Sequence, residues 1–185
     1  MHPLVSLAKQ TVEIFIKERK IISSLGDLPK EFLERKAGTF VTIEKNGELR
    51  GCIGTYLPLR KNVAEETIYN AIAAAIEDYR FGPIEEKELS SLSYIVYILS
   101  EPELVKEISE LDPKQYGIIV KTVPISLSGD VVFNGHFVAK TGFLLPDLAG
   151  VDAIEKQVSI ACQKGGIDPL REKILIYKFA VEKYK

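Results

Sequence analysis

The chain has no tryptophan, one methionine, two histidines and two cysteines among its 185 residues. Each scarcity excludes something. His2 and His136 lie far along the chain from Cys52 and Cys162, so no metal-ligand spacing exists and no metal is expected. Two cysteines cannot build a disulfide framework, which points to a reducing, cytoplasmic setting. The longest apolar run covers residues 94–99, far too short to span a membrane, and no basic segment followed by an apolar one opens the chain, so no signal peptide is expected. An excess of positive charge is also missing. Lys and Arg number 24 against 26 Asp and Glu, the net charge is −2, and a nucleic-acid partner is not expected. Few Met and Trp beside many Lys and Glu hint at a thermophilic source.

What is present fits one globular domain over residues 1–185, long enough to bury its own core. Pro3 and the spacing of Leu4, Leu7, Ala8, Thr11, Val12, Phe15 and Ile16 predict an amphipathic helix to about Lys20. A loop with Gly26-Asp27 follows, then a short helical turn over 30–36. Asn62, with Glu65 three residues on, caps a helix carrying the small run Ala71-Ile72-Ala73-Ala74-Ala75, which suits close packing on a sheet. Residues 85–89 read as a single turn and residues 103–116 as irregular. Residues 92–100 are apolar on both faces and read as a central strand. Strands are expected over 117–123, 141–145 and 174–181, with a second hairpin about Asn134-Gly135. Asp152 is the expected cap of a last helix that ends at Gly165-Gly166, with Cys162 on its inner stripe. The class is α+β, a mostly antiparallel sheet flanked by about three helices.

The informative stretch runs from Gly38 to Gly54. Asn46-Gly47 predicts a type I′ turn, and a two-residue turn sets the register: Glu44 opposite Leu49, Ile43 opposite Arg50, Val41 opposite Cys52. Alternation then puts Arg50 and Cys52 on one face with Val41 and Ile43. Gly51 and Gly54 flank the thiol, where a bulge, a tight bend or the close approach of a ligand would each need glycine. Cys52 reads either as a nucleophile or redox thiol activated by Arg50, or as a small buried hydrophobe. His136 is the one serious candidate base. Arg50 reads as a bidentate clamp for an anion or as the partner of an internal acid, with Asp78, Glu77 and Asp147 as candidates. Arg80 reads as a further ligand contact or as a surface partner of Asp78.

These residues resemble the AMMECR domain family, known in prokaryotes as AmmeMemoRadiSam system protein A. The match is carried by Leu49-Arg50-Gly51-Cys52-Ile53-Gly54, by Asp78-Tyr79-Arg80-Phe81-Gly82-Pro83, by Leu99-Ser100-Glu101-Pro102, by Gly142-Phe143-Leu144-Leu145-Pro146, and by Cys162 with Lys164-Gly165-Gly166. The chain departs from the pattern at Tyr79, where the family usually has Pro, at Val151 in place of a Trp, and in a longer 123–140 connection. The resemblance implies a larger α/β lobe and a smaller β lobe with the signature at a cleft between them. It implies no settled reaction and no cofactor. It associates the chain with a Memo-type protein and a radical-SAM enzyme, hence with a modification pathway. The expected function is an accessory or binding protein that takes a small anionic ligand or a partner through Arg50, Gly51, Cys52, Gly54 and Arg80. The alternative is an enzyme with Cys52 as its catalytic thiol. Edge strands in a small β lobe leave a monomer or a homodimer open.

Overall fold

A computed structural model describes residues 1–22, 28–124 and 138–185. The Gly26-Asp27 loop, the hairpin expected about Asn134-Gly135, and His136 lie outside them. The chain forms two compact units, residues 1–100 with 182–185 and residues 101–181. Each carries one four-stranded sheet, and the strand pairs whose register is defined run antiparallel. Among the described residues no helix is long and apolar enough to cross a membrane.

In the first unit the sheet order is β2-β1-β3-β8. Strands β1 (Thr39–Lys45) and β2 (Glu48–Gly54) form the expected hairpin, with Asn46 at φ 53° and Gly47 at φ 84°. β3 (Leu92–Leu99) is central as predicted, and β8 (Val181–Tyr184) completes the sheet. Two helices cover one face. α1 (Pro3–Glu18) starts at Pro3, and His2 Nδ1 caps it by accepting from the Leu4 amide. α3 (Val63–Ile76) is capped by Asn62, whose Oδ1 accepts from the Glu65 amide. Between them α2 (Lys30–Glu34) is one short turn that buries Phe32. Leu4, Ala8, Val12, Ala71, Ala75, Val41, Ile43, Val96 and Ile98 meet in the core of this unit.

The second unit has the order β4-β7-β5-β6. Its strands are β4 (Glu103–Leu104), β5 (Gly117–Thr122), β6 (Thr141–Leu144) and β7 (Ile174–Phe179). Helix α4 (Ile154–Gly165) packs on β5 and β6. Its N-cap is Ala153 rather than Asp152, and Cys162 is buried as expected, with burial pushing its thiol pKa up. A Cβ on Gly142 would sit 1.8 Å from the Ala161 carbonyl, so β6 and α4 touch backbone to backbone. The segment expected as one strand over 174–181 is two strands that serve different sheets.

Candidate functional site

The β1–β2 register holds from the turn to Glu44 opposite Leu49 and then shifts by one residue. Ile43 faces Gly51, Thr42 faces Cys52 and Val41 faces Ile53, which leaves Arg50 as the extra residue of a β-bulge. The expectation that Arg50 and Cys52 share one face with Val41 and Ile43 is therefore corrected: Cys52 lies with Thr42, and Arg50 is the unpaired residue of the bulge. Val41 and Ile43 are fully buried in the core, whereas Cys52 is half-buried beside Thr42, whose hydroxyl donates to Sγ at 3.2 Å.

The glycines beside the thiol have packing reasons. A Cβ on Gly51 would lie 2.1 Å from the Ala74 carbonyl of α3, and one on Gly54 would strike the Phe40 ring. The small run in α3 thus brings that helix onto the backbone of β2, as its composition predicted.

β2 is an edge strand, and its outer edge is not left open at Cys52. The Cys52 amide donates to Asp78 Oδ2 at 2.9 Å, and Arg80 Nη2 reaches the Cys52 carbonyl at 3.5 Å. Accepting from the amide and donating to the carbonyl of one residue is what a neighbouring strand would do. Asp78 also accepts from Arg80 Nε at 2.9 Å and Nη2 at 2.7 Å. Asp78 is 4% exposed. Arg80's hydrogen bonds hold its carboxyl down at about 2 against the opposing effect of burial, with the amides of Cys52 and Arg80 adding to the lowering. The expected Asp78–Arg80 pairing exists, with a buried acid and a half-open arginine.

Arg50 finds an acid that was not among its candidates. Its Nε and Nη2 form a fork on Glu88 at 3.1 and 2.9 Å, Nη1 donates to the Gly82 carbonyl at 2.8 Å, and Nη2 donates to that of Pro83 at 3.2 Å. Four of its five N–H donors serve the protein itself. Lys45 joins Glu88 at 2.8 Å, and the Glu85 amide donates to it at 3.0 Å. Arg50 is the main cause that holds the Glu88 carboxyl down at about 2, with burial opposing and Lys45 assisting. Asp78 with Arg80 therefore fastens the start of the 78–83 turn to β2, and Arg50 fastens its end.

A residue that sequence reasoning missed is Glu66. It is 2% exposed and accepts from the Thr55 hydroxyl at 2.6 Å and from the amides of Leu59 and Arg60 at 2.8 Å each. One turn later Asn70 donates to the Thr39 carbonyl and hydroxyl. This polar i, i+4 pair on a helix rich in Ala and Ile was the available signal. Replacing Glu66 with Ala is expected to cost about 2 kcal/mol, because two amides lose a buried acceptor, and to speed amide exchange at Leu59 and Arg60. Unchanged exchange there would show that the loop holds without its carboxylate.

Among the described residues, two antiparallel sheets, the first covered by α1 and α3 and the second by α4, and the bulged Arg-Gly-Cys edge define the class. The AMMECR1 family model matches residues 5–184, and the chain belongs to that family. A protein of Thermotoga maritima is 45% identical over the whole chain and 98% of its own length. Protein CA_C1420 of Clostridium acetobutylicum is 39% identical over 99% of the chain, which spans only 36% of that longer protein. The crystal structure of the uncharacterized protein PH0010 from Pyrococcus horikoshii superposes with a TM-score of 0.80 at 31% identity, over 97% of this chain and 88% of that one.

Proposed function

We propose that this AMMECR1-family chain is an accessory binding protein. Its recognition surface is the edge of β2 at Cys52 with the 78–83 turn, and its ligand is a small anion taken by Arg80. One observation carries this reading. Asp78 occupies the Nε and Nη2 side of the Arg80 guanidinium, while Nη1 has no hydrogen bond among the described residues and the side chain is 44% exposed. Arg50, Gly51 and Gly54 then build the platform, and Arg80 and Cys52 face the ligand. The pathway we propose for it is the modification pathway of a radical-SAM enzyme and a Memo-type protein that the family resemblance implies. The Thr42 hydroxyl donating to Sγ supports the second reading, a catalytic or redox thiol, with Arg80 rather than Arg50 as its neighbouring cation.

Thiol labelling tests both. Cys52 is half-buried and Cys162 fully buried, so iodoacetamide is expected to label Cys52 at least about tenfold faster. Inorganic phosphate, at matched ionic strength, should slow Cys52 labelling saturably in the natural chain and not in an Arg80→Gln variant. A labelling rate that phosphate leaves unchanged would sink the anion site. A Cys52→Ser variant that binds phosphate as before would reject the thiol as a required ligand contact while keeping Arg80.

A further inference from the structure

The loop between β2 and α3 is fastened from inside and carries apolar side chains outside. Buried Glu66 accepts from the Leu59 and Arg60 amides, which fixes the backbone there. The fixed backbone presents Leu59 to solvent at 73% exposure and Leu57 at 47%. A single exposed leucine is ordinary. Two on one fastened loop, rimmed by charge, mark an interaction surface.

Arg60 completes that surface. Its guanidinium lies over the Tyr69 ring, 3.7 Å from the centroid, and Tyr69 is itself exposed. Such a stack holds the guanidinium plane and leaves its N–H edges open. Among the described residues no oxygen takes those edges, and the Lys61 ammonium has no partner either. The nearby acids are engaged elsewhere. Glu66 serves the Thr55 hydroxyl and the two amides, and Glu65 faces the Lys61 amide at 3.5 Å. Arg35, Arg50 and Arg80 each have an acid of this chain, Glu182, Glu88 and Asp78. Arg60 has a tyrosine ring and two leucines instead.

We propose that this surface docks an acidic protein segment. A carboxylate of the segment takes the open edge of Arg60 as a bidentate pair, and an apolar side chain next to it packs on Leu57 and Leu59. Two unpaired cations set the sign of the partner, and arginine and tyrosine are the residue types that anchor such contacts. A bilayer fits less well. Two leucines bury less hydrocarbon than a myristoyl chain, which alone gives only marginal membrane binding. The surface is separate from the Arg80 anion site, and either can fail alone.

Panning a phage-displayed library of random peptides on the full chain tests the proposal. The enriched peptides are expected to carry Asp or Glu beside an aliphatic or aromatic residue. Synthetic copies should bind Arg60→Gln about tenfold more weakly, the worth of a charge-assisted hydrogen bond, and Leu59→Ser about fivefold more weakly. Both side chains are exposed, so both variants should fold as the natural chain does. Arg60→Lys should bind no better than Arg60→Gln, because an ammonium offers no planar fork and stacks poorly. No enrichment, enriched peptides without an acid, or peptides that bind Arg60→Gln as tightly as the natural chain would each overturn the docking surface. Sedimentation with phosphatidylserine vesicles that needs Leu59 and Arg60, with no peptide enriched, would overturn it in favour of a membrane.

Discussion

Gly51→Ala is expected to destabilise the first unit by about 3 kcal/mol or more, at or above the upper end of ordinary overpacking. The added Cβ would sit 2.1 Å from the Ala74 carbonyl, a contact that no side-chain rotation relieves. Retreat of α3 is costly. Asn70 ties it to Thr39, Glu66 holds the loop that follows β2, and Ala71 and Ala75 are packed in the core. Gly142→Ala should act alike in the second unit, where the Cβ would meet the Ala161 carbonyl at 1.8 Å. Gly82→Ala is the control. Nothing lies within 4 Å of its Cβ position, and it should stay within about 0.5 kcal/mol of the natural chain. Urea denaturation measures all three. A Gly51→Ala midpoint equal to that of Gly82→Ala would show that the close approach of α3 to β2 is not real.

Arg50→Met is expected to cost about 3 kcal/mol, in the range for breaking a buried pair by removing one partner. Glu88 is nearly buried and would keep Lys45 and one amide, while the 78–83 turn would lose both carbonyl contacts that hold it. Arg50→Lys should recover only part of the loss, since an ammonium cannot bridge a carboxylate and two carbonyls as the planar fork does. The pH dependence has a definite sign. The Glu88 carboxyl falls from 4.5 to about 2 on folding, so its contribution is complete above about pH 4.5 and disappears as the pH falls towards 2. Asp78 acts in the same direction, from 3.8 to about 2. Arg50→Met removes the main cause of the Glu88 shift, so the variant should lose less stability than the natural chain between pH 7 and pH 3, while Asp78 still contributes. Equal losses in the two proteins would mean that Arg50 does not govern Glu88.

The parts of this structure legible in the sequence are those with local causes. Asn46-Gly47 set the turn, Asn62 set the start of α3, and the two-sided apolar run placed β3 at the centre of its sheet. A bulge was one of the options that Gly51 and Gly54 left open, but its place at Arg50 was not legible. Its cause is a carboxylate in another segment, and the run Glu85-Glu86-Lys87-Glu88 reads as solvated charge, with nothing to mark Glu88 as the member that turns inward. That one extra residue in the ladder moved Cys52 to the face opposite Val41 and Ile43, because a single-residue slip exchanges faces. The change of sheet at Ala180 carries no glycine or proline, so residues 174–181 looked like one strand. The pairing of Arg80 with Asp78, two residues apart, was within reach of a local reading and was anticipated as one of two options.

β8 has a consequence for the order of folding. It belongs to the first unit, yet it follows the whole of the second along the chain. The first sheet can pair β1, β2 and β3 early, but its fourth strand, the Arg35–Glu182 ion pair and the stacking of His2 on Tyr184 must wait for a loop of roughly 80 residues to close. Closing such a loop costs little more than closing a shorter one, but contacts this distant in sequence form late. The second unit, once folded, replaces a floppy loop with a compact one. Its folding should therefore speed the last step of the first, and a slow kinetic phase abolished by deleting β8 would be its signature.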